Sequence, residues 1–107
     1  MNLEEKNNLL KFFLSQLGIG NIAKIYAVEN HINNYEDIIK EFKQIQKNIF
    51  DYIWEISEPD KQFNAHEIEE ICATYCFEHY QWINKVGLNA LNNWLLWMCW
   101  HEGILKK

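Results

Sequence analysis

The apolar residues of this chain fall three and four positions apart over most of its length, the spacing that gathers side chains on one side of an α-helix. Leu9, Leu10, Phe13 and Leu17 form the first such set. Asn2 precedes it with Glu5 three positions later, a pairing suited to cap a helix start, and Gly18 follows as a residue that tolerates the left-handed turn at a helix end. A first helix is expected from just after Asn2 to about Leu17. Beyond the break GIGN, Asn21 can cap a short second helix, IAKIYAVEN, with Ile22, Ile25, Tyr26 and Val28 facing inward.

From Tyr35 to about Ile56 the pattern is clearest. Ile38, Phe42, Ile45, Ile49, Tyr52, Ile53 and Ile56 line one face, while Lys40, Lys43, Lys47 and Asp51 fall opposite. Pro59, in SEPDKQF, breaks the chain into a loop because it lacks an amide hydrogen and constrains its neighbour. Asn64 and Glu67 then repeat the capping-box spacing. The stripe that follows is Ile68, Cys72, Tyr75, Cys76, His79, Trp82, Ile83 and Val86, with Gly87 expected as its end. A last helix is expected from about Leu88 to Glu102. It carries WLLWMCW, and winding it places apolar side chains almost all the way round. Such a helix is either central in a bundle or covered on its second face by another chain. The central position is the expectation, since all-round apolar helices are usually buried. Trp97 and Trp100 then mark a candidate second interface.

No strand-like alternation or internal repeat is present. These patterns predict an all-α protein, a compact bundle of four to five helices forming a single domain over residues 1–107. The apolar run near the end is too short for a membrane span, and Asn89, Asn92 and Asn93 precede or interrupt it. The opening MNLEEKNNLLKFFL has acids where a signal peptide has positive charge, so the mature chain is expected to start at Met1. Three cysteines, Cys72, Cys76 and Cys99, are an odd number that suits free thiols and a cytoplasmic location.

Charge sharpens the picture. The net charge is -5 and no arginine occurs, which argues against direct nucleic-acid binding. Asp51, Glu55, Glu58, Asp60, Glu67, Glu69 and Glu70 crowd one stretch with Lys61 as its single cation, whereas the remainder of the chain is nearly balanced. Acids in a first helical turn are favoured by the helix dipole, and a charged face is often simply solvated. The functional reading is that the concentrated field steers a basic partner. Its candidate contact residues are Glu55, Glu58, Asp60, Glu67, Glu70 and Glu78, with Trp54 and Phe63 framing the patch.

Catalytic chemistry is poorly supported. Cys72, Cys76 and His79 share a helix face and, with Cys99 or His101, contain zinc-ligand atoms, but they sit in an apolar stripe where buried cysteine is ordinary. HEIEE, from His66, has Glu70 where a zinc-protease motif needs a second histidine. No nucleophile motif or phosphate-cradling glycine loop occurs. The expectation is a protein that is not an enzyme and uses no cofactor or metal.

The short length, thirteen asparagines and fourteen isoleucines that suggest an AT-rich genome, the acids from Asp51 to Glu70, Trp54 and Phe63 beside them, and the lack of a catalytic set together resemble one group. These are the small acidic immunity proteins of bacterial contact-dependent inhibition and polymorphic toxin systems. The resemblance is one of type, with no motif from which residue roles carry over. It implies a protein that binds a toxin domain, often a basic nuclease, and occludes it. Two alternatives stay open: a phage-encoded inhibitor whose acids imitate phosphate against a defence nuclease, and a helical homodimer with a structural or ligand-binding role on the Trp97 and Trp100 face.

Overall fold

The computed structural model describes residues 1–15, 22–57 and 61–106. Among them run five helices: α1 (Leu3–Leu14), α2 (Ile22–Glu29), α3 (Tyr35–Ile56), α4 (Ala65–His79) and α5 (Lys85–His101). The protein is an all-α bundle. No helix among the described residues is long and apolar enough to cross a membrane.

Asn2 caps α1 by accepting the Glu5 amide at 2.8 Å. The helix closes at Ser15, whose amide donates to the Lys11 carbonyl. The expected end at Leu17 and Gly18, and the expected cap Asn21 of the second helix, lie outside the described residues. On α2 the inward face is not the expected one. Ala23 and Ala27 are buried, whereas Ile22, Ile25 and Val28 are exposed. The two alanines allow α2 to approach α1 closely, where Tyr26 packs its ring 5.1 Å from that of Phe12 and its hydroxyl accepts from Asn8.

The stripe of α3 reads as expected through Phe42, Ile45, Ile49 and Ile53, all of them buried. Phe42 lies 5.8 Å from Phe13 and 6.0 Å from Trp82, ring centre to ring centre, so one side chain joins α3 to α1 and to the turn after α4. Tyr52, by contrast, remains 40% exposed.

The join between α4 and α5 departs most from expectation. The helix predicted to run to Val86 stops at His79, and Gly87 lies inside α5 instead of ending α4. Two asparagines explain the break. The Asn84 side chain accepts the Val86 and Gly87 amides and so caps a new helix. Asn7, fully buried on α1, accepts the Asn84 amide at 2.8 Å and donates to the Trp82 carbonyl at 3.0 Å. A Cβ at Gly87 would run into Asn7 Oδ1, so the glycine is where it is to let α1 and α5 approach.

α5 packs against both α1 and α4, burying Gly87, Leu91, Leu95 and Cys99 along one face. It is not covered all round: Trp97 and Trp100 are 48% and 56% exposed. After α5 the chain turns at Gly103 and meets the segment before α4. The Phe63 amide donates to the Ile104 carbonyl and the Lys106 amide to the Phe63 carbonyl, an isolated parallel bridge between Phe63 and Leu105. This bridge draws the Phe63 side chain into the core.

Candidate functional site

The C-terminal half of α3 and the outer flank of α4 enclose an open cleft of about 490 Å³. Helix geometry supplies its two walls. On α3, Tyr52 and Ile56 lie one turn apart, and on α4 Glu67, Glu70, Ile71, Thr74 and Glu78 follow at three- and four-residue steps. The floor is aromatic. The Tyr52 and Tyr75 ring centres are 5.0 Å apart, and Tyr75 meets His79 at 4.3 Å. Burial, reinforced by the neighbouring Tyr80, holds the Tyr75 hydroxyl above its usual titration range.

The carboxylates differ in how far they are committed. Glu67 closes a capping box, accepting the Asn64 amide at 3.0 Å while Asn64 accepts its own amide. Glu70 lies 3.0 Å from His66 Nε2, an exposed pair one turn apart. Glu78 has no ion-pair partner among the described residues. At its edge the Lys61 ammonium stands 5.2 Å from the centre of the Phe63 ring.

Of the residues predicted as contacts, Glu67, Glu70, Glu78 and Phe63 come together here. Phe63 does so as a buried floor residue, 4% exposed, and not as an exposed aromatic framing the acids; the bridge to Leu105 holds it inside. Glu55 is exposed on α3, three residues beyond Tyr52, outside the cleft lining. Trp54 is exposed but lies about 200° around the helix from Tyr52. It packs with Phe50 at 6.3 Å and does not join the cleft. Glu58 and Asp60 lie outside the described residues. Tyr52, Tyr75 and Lys61 were not among the predicted contacts. Tyrosine at the edge of an apolar stripe, where leucine or isoleucine would serve a dry core, was the available signal.

The thiols sit elsewhere. Cys72, Cys76 and Cys99 are free and buried where α4 meets α5. A hydrogen bond with Cys76, added to burial, pushes the Cys72 thiol well up. Burial alone pushes Cys99 up to about 11. Cys72 and Cys99, held protonated in this way, are poor nucleophiles, whereas the hydrogen bond with Cys72 lowers the Cys76 thiol against its burial. His79, which shared a face with them on the sequence pattern, is exposed and turned to Tyr75. Among the described residues no group of three histidines, cysteines or acids is placed to hold a metal.

No protein-family model matches the chain, and neither a curated protein nor a solved structure does.

Proposed function

We propose that the protein is a small acidic binding module whose α3–α4 cleft receives a basic segment of a protein partner. Within that class, the reading we favour is an immunity protein that occludes a cognate toxin. The supporting observation is the convergence of Glu67, Glu70 and Glu78 around a tyrosine floor, open to solvent and already carrying one lysine over a ring. Carboxylates at the rim attract and orient a lysine or arginine side chain, and the rings beneath accept its alkyl stem and cationic head. Inhibition would be occlusion, with no bond made or broken.

The test is capture of the partner from the source cells by immobilised wild type and by the Glu67→Lys/Glu70→Lys/Glu78→Lys variant. The expected result is a basic protein retained by the wild type, eluted by salt and lost from the variant. If it is a toxin, co-expression with the wild type restores growth and co-expression with the variant does not. A partner retained equally by both proteins removes the cleft from the account.

A further inference from the structure

Histidines near both ends of α4 touch the residues of the acidic cleft. His66 Nε2 lies 3.0 Å from a carboxylate oxygen of Glu70, in a pair whose side chains are 76% and 68% exposed. The exposed ring of His79 lies 4.3 Å from that of Tyr75, centre to centre, and lines the cleft beside Glu78. Histidine is the side chain whose ordinary titration falls between about pH 5 and 8, a range in which carboxylates as a class stay ionised. An imidazolium at position 66 forms an ion pair with Glu70, and one at position 79 sits within cation–π reach of the Tyr75 ring. The ionised lining is otherwise three glutamates against Lys61, a net of two negative charges, which two imidazolium ions cancel.

We infer that His66 and His79 make the cleft a pH-gated site, which binds a cationic segment more weakly as the pH falls from about 7.5 to 5.5. The inference rests on the cleft receiving a basic segment, as proposed above, and adds what regulates it. The gate works by competition. Protonated His66 engages Glu70, which a lysine or arginine of the partner needs, and protonated His79 places a like charge on the aromatic floor where that side chain arrives. Around His66 the other charged groups are Glu69 on α4, Lys61 before the helix and Lys106 on the tail that bridges to Phe63. Around His79 they are Glu78 on α4, Tyr80 just after it, 6.2 Å away ring to ring, and on α3 Tyr52, which meets Tyr75 at 5.0 Å. Asp51 of α3 is paired with Lys47 at 2.7 Å, and α5, which opens with Lys85, contributes no ionisable side chain to the lining among the described residues. His31 and His101 lie outside that lining. Because both gating histidines are exposed, their charging bears on binding far more than on stability.

Calorimetric titration of the full chain at low ionic strength, at about pH 7.5 and again at about pH 5.5, tests the inference. The probe is an N-acetylated peptide alternating lysine and arginine, whose own charge is constant over this range. Wild-type affinity is expected to fall about tenfold between the two conditions, roughly threefold for each histidine, the scale of one exposed ion pair. In His66→Gln/His79→Gln the ratio of the two affinities is expected to lie within about twofold of one. A second readout needs no variant. The ring-proton resonances of His66 and His79 are expected to titrate about half a pH unit lower with saturating peptide than without it, while those of His31 and His101 hold their positions. Equal wild-type affinity at the two pH values overturns the gate and leaves the cleft as a binding site. A tenfold loss retained by the double variant overturns the gate as well, since other groups then carry it. A peptide that fails to bind the wild type at the higher pH removes the cleft from the account, and this inference with it.

Discussion

α4 and α5 pack side by side on one layer of buried thiols, yet they turn opposite chemistries outward. α4 shows solvent Glu67, Glu70 and Glu78 at the lip of a tyrosine-floored cleft; α5 shows Val86, Trp97 and Trp100 with no charge between them. Their inward faces are alike, short stripes of aliphatic residues and cysteine. Burial therefore explains what the two helices share, and only the exposed positions tell them apart. Association through α4 should be electrostatic, fast and weakened by salt.

The largest effect expected is on binding. Glu67→Lys/Glu70→Lys/Glu78→Lys should lower affinity for a cationic partner by about 1,000-fold at low ionic strength, roughly 4 kcal/mol, while Trp97→Ala leaves that affinity within about twofold. Calorimetric titration of both variants checks it, and comparable losses from both would erase the division between the helices. Next comes the corner that fixes α5. Asn7→Leu leaves the Asn84 amide and the Trp82 carbonyl unpaired in a partly buried site, so a loss of about 2 kcal/mol of stability is expected in urea unfolding.

The shared thiol layer gives a pH signature. The Cys99 thiol, pushed up to about 11 from 9.0, keeps its proton in the folded protein at pH values where the unfolded chain has lost it. Its contribution is complete below about pH 9 and disappears as pH rises toward 11, about 2–3 kcal/mol in all. Urea unfolding across that range should show a shallower alkaline decline for Cys99→Ala than for the wild type. Parallel pH profiles would remove Cys99 as a contributor. The smallest change expected has the opposite sign. Asn92 Oδ1 on α5 is buried without a hydrogen-bond partner among the described residues, so Asn92→Leu should stabilise the protein by about 1 kcal/mol. A destabilised Asn92→Leu would show that the amide is satisfied in solution.

Much of this architecture was legible in the periodicity. The long stripe of α3, the caps at Asn2 and Asn64 and the break before α4 follow from local chemistry alone. The division of α4 from α5 was not legible, because it depends on Asn7, 77 residues from the Asn84 amide that it accepts. Gly87 reads locally as a stop; in three dimensions it is a point of close approach within a helix. α2 was misread for a related reason, since close packing on α1 selects its alanines over its larger isoleucines. At the cleft the acids of α4 could be found by counting charge. Phe63 and Trp54 could not be placed that way. A tertiary bridge to the C-terminal tail buries the former, and a rotation of about 200° separates the latter from Tyr52.

The measurement closest to the central claim is a nuclear magnetic resonance titration of the protein with a short peptide alternating lysine and arginine. Saturable backbone shifts are predicted at Glu67, Glu70, Thr74 and Glu78, together with side-chain shifts at Tyr52 and Tyr75, all reversed by salt. Shifts spread evenly to the exposed first-turn acids Glu4, Glu36 and Asp37 would contradict it, because the cleft would then be no more than part of an acidic surface.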